Sequence, residues 1–275
     1  MADSRGCAAE LRVMSYNVRY PSGEGGRNAW VYRRDPLVST IRFHRPDIVG
    51  LQEVHHDRVD DFRAALPGFE WLETGRSGKT YGDHAAIGFH RERFTLETDG
   101  RFWLSETPDT PSRGWDAALV RLVRYVGLYD EVTDVSLFHF NTHFDHRGET
   151  ARRRSAQLLR SRIDAISGDE PVVVTGDLNC RPGSEPHRRL TDESLSNGRA
   201  LHDAGMVADA PNHGPDTSMT DFTDLVPEKK IDYVFVTPTV EVGRHGILSD
   251  SYGDGRYPSD HLPVLADVEV PTDRT

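Results

Sequence analysis

Residues Pro171–Asn179 read PVVVTGDLN, an apolar run that leads directly into polar side chains. The run is short and rich in valine, which predicts a buried strand over residues 171–176. Asp177 and Asn179 follow where this strand ends, and open α/β sheets place their sites at that end. An aspartate after a strand is also typical of a turn or a helix cap, so this stretch alone does not define a site.

The same combination of a strand-like run and adjacent polar residues recurs at five other places. These are SYN at Ser15–Asn17, LQE at Leu51–Glu53, NTH at Asn141–His143, IDY at Ile231–Tyr233 and SDH at Ser259–His261. Together the six segments supply carboxylates, amides and imidazoles without a matching number of nearby lysines or arginines. Such a cluster would repel itself unless it held a hard cation, so the pattern indicates a metal site.

Around these segments, predicted strands alternate with amphipathic helices. We predict strands over residues 11–19, 47–52, 135–144, 231–236 and 262–270, and helices over 28–44, 57–66 and 148–166. Asn28 is the predicted N-cap of the first helix. Residues 69–126 are predicted to hold several short strands broken by glycine and proline. Many strands with helices between them predict sheets that pack together and are covered by helices.

Length and composition describe a globular chain. It has 275 residues, of which 36% are hydrophobic, and this excludes whole-chain disorder, collagen and coiled coil. We expect a disordered segment over residues 1–10, one domain over 11–270 and a short tail over 271–275. No apolar run approaches the roughly 18–20 residues of a membrane span, so we expect no membrane partner. Two cysteines, Cys7 and Cys180, indicate a reducing compartment and hence a cytoplasmic location. A single compact domain is compatible with a monomer.

The charge of the chain bears on its partners. The formal net charge is −11 at pH 7, and only three of the 33 basic residues are lysines. A negative chain disfavours undirected binding to nucleic acid, because that affinity comes from neutralising phosphates. The objection weakens at high ionic strength, where screening shortens to a few ångströms. Charge alone therefore does not choose the substrate.

In their order along the chain, the six polar segments resemble the endonuclease/exonuclease/phosphatase superfamily, the fold of the DNase I-like nucleases. FWLSETP at Phe102–Pro108 and the segment 141–148 are similar to a bacterial and archaeal branch of it. The resemblance extends from about Leu11 to Val270. It implies an α/β (α+β) fold, a four-layer sandwich of two mixed β-sheets flanked by helices.

The resemblance also implies roles for individual residues. Glu53, with Asn17 and Asp260, would bind Mg²⁺, for which Mn²⁺ is a substitute; this agrees with the preference of Mg²⁺ for a few oxygen ligands. His261, paired with Asp232, would stand beside the attacking water.

Three further residues complete the implied catalytic set. Asp177 and Asn179 would orient the water and bind the phosphate, although the Asp177 position is also a candidate for the general base. His143 would donate a hydrogen bond to the phosphate or protonate the leaving group.

Two other positions have both a functional and an ordinary interpretation. Members of the branch carry Gly-Glu where this chain has Gly82–Asp83, so Asp83 is a candidate to orient the His143 ring or, equally, a turn residue. Arg121 would clamp the phosphate through two hydrogen bonds or lie solvated at a strand edge.

Three tempting features are given ordinary roles. His139, His143 and His146 suggest zinc, but at strand spacing the first two lie about 13 Å apart, too far for one ion without a bend. The arginine-rich helix over 148–166 is interpreted as a salt-bridged solvent face rather than a nucleic-acid patch. Cys180 is interpreted as a small structural residue.

These observations predict a Mg²⁺-dependent phosphodiester hydrolase that uses in-line attack of water. A nuclease acting on nucleic acid is the first interpretation, because the family favours it. The alternative is a hydrolase of small-molecule or lipid-headgroup phosphate esters, which the acidic chain favours. A third class is a non-catalytic binding protein on the same fold; retention of the whole polar set argues against it.

Overall fold

A computed structural model describes residues 10–20, 25–78, 83–195 and 198–270. Within these ranges it contains twelve strands and five helices. The strands are β1 (Glu10–Asn17), β2 (Ile48–His55), β3 (Phe69–Gly75), β4 (Asp83–His90), β5 (Phe94–Trp103), β6 (Leu122–Asp130), β7 (Val135–His143), β8 (Val172–Asp177), β9 (His202–Asp203), β10 (Asp232–Val236), β11 (Glu241–Ile247) and β12 (Val264–Glu269). The helices are α1 (Trp30–His44), α2 (His56–Ala65), α3 (Glu149–Ser167), α4 (Glu185–Thr191) and α5 (Ala204–Val207).

The strands form two six-stranded sheets, with the orders β11-β12-β1-β2-β4-β3 and β5-β6-β7-β8-β10-β9. Each sheet has one parallel pair, β1 with β2 and β7 with β8, among antiparallel neighbours. Both sheets are therefore mixed, which confirms the architecture that the sequence implied.

Apolar side chains fill three separate layers, and this makes the fold a four-layer sandwich. The middle layer joins the sheets and includes Val13, Ile87, Leu128 and Val234. On one outer face, α1 and α2 pack on the first sheet; on the other, α3 and α4 pack on the second. None of the described helices is long and apolar enough to cross a membrane.

Strand register brings polar residues from distant motifs side by side. In the second sheet, His143 at the end of β7 lies opposite Asp177 at the end of β8. Asp232, the first residue of β10, lies opposite Asp177 from the other side. Three residues that are up to 89 positions apart in sequence thus form one row at a sheet end.

The element boundaries differ from the sequence predictions in a few places. Asn28 does not cap a helix; it lies in a 3₁₀ turn, Gly26–Asn28, and α1 starts only at Trp30. Its side chain instead accepts a hydrogen bond from Arg256. β1 starts at Glu10, inside the segment predicted to be disordered, because Glu10 pairs with Glu269. The rest of that segment and the tail lie outside the described residues.

Four elements were not predicted at all: α4, β9, α5 and β11, of which β9 and α5 have only two and four residues. β11 reads EVGRHGI and lacks a continuous apolar run, and α4 has only seven residues. Neither carries a pattern long enough to identify it from the sequence.

Candidate active site

Most of the candidate residues line one cleft of about 680 Å³ at the ends of the central strands. Those in its wall are Glu53, Arg121, His143, Asp177, Asn179, Asp260 and His261. Asn17 and Asp232 lie directly behind the wall, where each hydrogen-bonds to one of these residues. Nine of the ten predicted site residues therefore converge. The side chain of the tenth, Asp83, lies outside the described residues.

A buried imidazole–carboxylate pair forms one side of the cleft. Nδ1 of His261 lies 2.9 Å from Oδ2 of Asp232, and the Ser218 hydroxyl donates to the same oxygen at 2.6 Å. Burial lowers the pKa of His261, but the charge and hydrogen bond of Asp232 outweigh it and raise the pKa to about 10. His261 is therefore an imidazolium at neutral pH.

Asp177 lies at the centre of the polar cluster. Its carboxylate accepts hydrogen bonds from Nδ2 of Asn17 at 3.0 Å and from the backbone N–H of Asn179 at 2.9 Å. Oδ2 is also 3.2 Å from Nε2 of His143. Burial and the neighbouring charge of Asp232 raise the pKa of Asp177 to about 7. A carboxylate with this pKa can exchange a proton near neutral pH.

His143 is a neutral imidazole in this setting. Burial, and then the charge of Arg121, hold its pKa well below the usual range. Its Nε2 lies 3.0 Å from Nδ2 of Asn179, which also donates to the carbonyl of Phe144 at 3.0 Å. The same Nε2 therefore faces both a donor, the Asn179 amide, and an acceptor, Oδ2 of Asp177 at 3.2 Å. His143 can thus donate or accept a hydrogen bond but does not carry a charge.

Glu53 owes its place in the cleft to an irregularity in β2. The β2–β4 pairing shifts register between Leu51 and Val54, and Glu53 has a left-handed φ of 60°. Its Oε2 accepts the backbone N–H of Tyr20 at 2.7 Å. Burial would raise the pKa of Glu53, but this hydrogen bond and nearby positive charges lower it overall. The carboxylate is therefore ionised.

The donor atoms of the cleft suit a hard divalent cation. Glu53 and Asp260 supply carboxylates and Asn17 a carboxamide oxygen, the ligand chemistry that Mg²⁺ and Mn²⁺ prefer. A second grouping exists, since ligand atoms of Asp177, Asp232 and His261 all lie within 4.8 Å of one another. Oδ1 of Asp232 is buried there and has no hydrogen-bond partner in the described ranges. An acidic cluster that can hold a metal is thus present.

The three histidines that suggested zinc do not come together. His139 lies between the sheets, where Nε2 is 2.9 Å from Oγ1 of Thr175, whereas His143 and His146 line the cleft. Burial lowers the pKa of His139 to about 3. It is a neutral core residue.

Arg121 is buried and faces the cleft, with only 4% of its surface exposed. Its Nε lies 3.9 Å from Asp145, and its Nη2 lies 3.4 Å from Nδ1 of His146. Among the residues that the structure describes, Nε and Nη1 have no hydrogen-bond partner. The low exposure of Arg121 excludes a solvated strand-edge arginine. Unpaired buried donors such as these are costly unless a ligand satisfies them.

The structure adds two arginines that no motif indicated. Arg19 follows β1 and pairs with Asp260 at 3.0 Å, and Arg76 follows β3 and lines the cleft. Burial, and then the charge of Arg121, lower the pKa of Arg76 to about 10. Neither residue lies in a distinctive sequence pattern, so only the tertiary structure identifies them.

Another residue missed from the sequence, Arg33 of α1, holds two loops of the site in place. It is fully buried and donates to the carbonyls of Val18 at 2.9 Å and Pro258 at 3.0 Å. The first carbonyl immediately precedes Arg19, and the second lies two residues before Asp260. Arg33 therefore ties together the segments that carry these two residues.

The arginine-rich helix α3 and Cys180 keep the ordinary roles that the sequence analysis gave them. On α3, Arg162 pairs with Asp109 at 2.8 Å, and Arg160 pairs with Glu193. Burial raises the pKa of Cys180 to about 11, so the thiol is protonated at neutral pH.

Comparisons with known proteins agree with this geometry. A profile of the Endonuclease/Exonuclease/phosphatase family matches residues 14–261. The chain is similar to a solved endonuclease/exonuclease/phosphatase of Bacteroides vulgatus, with 36% identity and a TM-score of 0.89 over 96% of this chain and 100% of the other. It is also similar to a mannosyl-6-phosphatase of Bacteroides thetaiotaomicron, with 31% identity and a TM-score of 0.87 over 94% and 99% of the two chains.

The chain is also similar to a curated protein whose name describes a different substrate class. That protein is the probable RNA exonuclease NGL3 of Saccharomyces cerevisiae, 25% identical over 211 residues, which are 68% of this chain and 41% of that protein. The chain spans less than two thirds of the length of several curated relatives that it matches.

Proposed function

The chain belongs to the endonuclease/exonuclease/phosphatase family, and from this we propose that it is a metal-dependent hydrolase of small-molecule phosphate esters, with a terminal phosphate as the preferred group. The observation that carries the proposal is the buried guanidinium of Arg121. Within the described part of the chain, its Nε and Nη1 lack hydrogen-bond partners, and it lines the cleft that also holds Asp177 and His261. A phosphate oxygen satisfies such donors well.

The distribution of charge favours a compact anion over a polymer. Arg19, Arg76 and Arg121 line one cleft of about 680 Å³, although the chain as a whole carries a net charge of −11. These three guanidinium groups share the wall with the carboxylates of Glu53, Asp177 and Asp260, and together with the proposed cation they suit one terminal phosphate, which is a small dianion. A polynucleotide needs many phosphates neutralised along its length. Similarity to a mannosyl-6-phosphatase supports the same choice.

We assign the metal to Glu53, Asn17 and Asp260, and the ion to Mg²⁺ or Mn²⁺. Their oxygen donors fit this kind of ion. Asn17 Nδ2 already donates to Asp177, which leaves its carbonyl oxygen, now bonded to the Arg19 N–H at 3.0 Å, as the ligand atom. When bound, the ion would neutralise charge on the phosphoryl group and on the leaving oxygen.

The protein groups around the phosphate have separate tasks in the proposed reaction. Asp177 takes a proton from the water as the water oxygen bonds to phosphorus, opposite the ester oxygen. The imidazolium of His261 and the guanidinium of Arg121 donate hydrogen bonds to the non-bridging oxygens, where negative charge accumulates. The phosphorus–oxygen ester bond breaks, and the leaving oxygen takes a proton from solvent. The products are inorganic phosphate and an alcohol.

A substrate panel tests the proposal. It contains mannose 6-phosphate, an aromatic phosphomonoester, an aromatic phosphodiester, single-stranded RNA and plasmid DNA, each with Mg²⁺ at low and molar salt. We expect release of phosphate from the monoesters, reduced about 10²–10⁴-fold by His261→Asn. The matched control is His187→Asn, because His187 forms a buried pair with Asp203 at 3.2 Å but does not line the cleft. Monoester hydrolysis that is absent, or equally insensitive to both variants, contradicts the proposal.

The second candidate is a nuclease, which similarity to the probable RNA exonuclease favours. The same groups would then attack a phosphodiester. Cleavage of RNA or DNA that is lost in His261→Asn, with no turnover of monoesters, would select this candidate.

A further inference from the structure

A single asparagine from the second sheet bridges the irregularity of β2 that aims Glu53 into the cleft. Asn141 lies in β7 and is fully buried. Its Nδ2 donates to the carbonyls of Leu51 at 2.8 Å and Ala86 at 2.9 Å. Leu51 and Ala86 form the last regular β2–β4 pair before the register shifts. The amide thus holds both strands together where their ladder is interrupted.

The irregularity is a β-bulge. Three steps along β2, from Leu51 to Val54, are matched by only two steps along β4, from Ala86 to His84. The extra residue is accommodated by the left-handed φ of 60° at Glu53. A non-glycine residue in this conformation is strained and persists only when its surroundings hold it.

The oxygen atom of the Asn141 amide also accepts two hydrogen bonds. Its Oδ1 accepts hydrogen bonds from Nε2 of Gln52 at 2.7 Å and from Oγ1 of Thr175 at 3.1 Å. Gln52 is the residue immediately before Glu53. One side chain therefore contacts the pair that precedes the bulge, the bulged strand itself and the neighbouring strand of its own sheet.

The sheets approach closely at this point. A Cβ on Gly50 would lie 2.0 Å from Oγ1 of Thr175 and 2.7 Å from Oδ1 of Asn141. Only a glycine leaves room for the hydrogen bonds between the sheets here. The arrangement is thus built into both sheets rather than being a chance contact of one side chain.

We infer that Asn141 is a positioning residue for cation binding: by clamping the β2 bulge, it holds the carboxylate of Glu53 in the cleft. The inference rests on the proposed assignment of Glu53 as a metal ligand. The role differs from that of Arg121, which lies just before β6, is the proposed phosphate ligand and does not contact the bulge. Loss of Asn141 should therefore weaken binding of the cation and leave binding of the phosphate anion unchanged.

The experiment measures Mn²⁺ binding to the whole chain, without substrate, from the electron paramagnetic resonance signal of free Mn²⁺. Groups that support metal ligands typically contribute 10- to 100-fold in affinity, so we expect Asn141→Ala to raise the Mn²⁺ Kd by about 10-fold or more. Binding of inorganic phosphate without metal should change less than about twofold. These two readouts distinguish positioning from a general loss of structure.

The matched control is Thr142→Val. Thr142 is the next residue of β7, equally buried, and its hydroxyl donates to the carbonyl of Leu122 at 3.2 Å without touching the bulge. It should lower the melting temperature and leave the Mn²⁺ Kd unchanged. If Asn141→Ala does not fold, the same two binding measurements are made on Asn141→Ser, which retains a polar group at this position.

Glu53→Gln separates failure of this inference from failure of the metal assignment. If Glu53→Gln leaves Mn²⁺ binding unchanged, the assignment of Glu53 is wrong. If Glu53→Gln weakens binding while both folded Asn141 variants keep the wild-type Kd, the inference about Asn141 is overturned and the assignment of Glu53 stands.

Discussion

Nε2 of His261 lies 3.9 Å from Oδ2 of Asp177. The separation is too long for a hydrogen bond, yet it is short enough for strong electrostatic coupling in a buried site. Protonation of either group therefore changes the charge that the other experiences, and the two titrate as a pair. With Asp232 on the far side of the imidazole at 2.9 Å, the proton is held on His261 and Asp177 is left as the acceptor.

This coupling predicts a bell-shaped pH profile for kcat/KM with Mg²⁺. Asp177 must be deprotonated to act as base, so activity should rise with pH up to its raised pKa of about 7. His261 must be protonated to donate, so activity should fall as pH rises past its raised pKa of about 10. Asp177→Asn should remove the acidic limb and cost about 10²–10⁴ in rate.

Asp232→Asn checks the cause of the alkaline limb. Burial alone lowers the pKa of His261, and the Asp232 charge is what raises it. The variant should therefore move the alkaline limb to lower pH by at least one unit. A wild-type profile that is flat between pH 5 and 9, or an alkaline limb unmoved by Asp232→Asn, contradicts these roles.

Arg121→Lys should selectively weaken phosphate binding. Lysine keeps the charge but loses the planar pair of donors, Nε and Nη1, for which the described residues offer no hydrogen-bond partner. We expect the KM for a phosphomonoester, and the inhibition constant of inorganic phosphate, to rise about 10- to 100-fold, as for loss of charge-assisted hydrogen bonds.

Arg124→Lys is the matched control for Arg121→Lys. Arg124 is also 4% exposed and belongs to β6, but it donates to the Gly100 carbonyl at 3.1 Å and does not line the cleft. The KM of the Arg124→Lys variant should stay within about twofold of wild type, because Arg124 binds no substrate. Equal effects of the two substitutions would show that buried charge in general, and not the cleft position, sets the KM.

Removal of divalent metal should abolish hydrolysis, and Mg²⁺ or Mn²⁺ should restore it. Glu53→Gln keeps an oxygen but loses the charge, so it should need at least about 10-fold more Mg²⁺ for half-maximal activity. Glu70→Gln, at an exposed site on β3, is the control and should respond to Mg²⁺ like wild type. Full activity in a chelator would refute the metal-dependent mechanism.

The sequence predicts that the candidate residues lie close together because each lies next to a strand and a short motif marks it. Asp177, His143 and Asp232 are examples: once their strands are recognised, strand register alone aligns them. The order of the motifs likewise fits two mixed sheets. Prediction from sequence succeeds here because local pattern and tertiary position coincide.

Other features depend on contacts between residues far apart in the chain. Arg33 is buried against Pro258, 225 residues away, and nothing in its helix pattern distinguishes it from a surface arginine. The bulge at Glu53 depends on Asn141, 88 residues later. Since tertiary contacts determine these conformations, a motif can identify the residue but not the geometry that makes it useful.

Asp145→Asn should destabilise the wall of the cleft beside Arg121. The Asp145 carboxylate accepts backbone N–H groups of Ala118 at 3.0 Å, Leu119 at 3.1 Å, Arg147 at 3.0 Å and Gly148 at 2.7 Å. In Asp145→Asn, the side-chain NH₂ group replaces one carboxylate oxygen, so a donor faces one pair of these N–H groups. We expect the free energy of unfolding at pH 7 to fall by about 2–3 kcal/mol, in the range for hydrogen bonds to a charged group.

The pH dependence of this loss identifies its origin. Burial would raise the pKa of Asp145, but the four N–H groups lower it from 3.8 to about 2. The stabilisation is therefore complete above the unfolded pKa, near 4, and is lost as pH falls through the folded pKa. The stability difference between wild type and Asp145→Asn should be constant from pH 5 to 7 and shrink toward pH 2.

Asp109→Asn, which removes a surface pair with Arg162, should cost less than about 1 kcal/mol. A difference for Asp145→Asn that stays constant down to pH 2 would mean that its charge does not stabilise the loop.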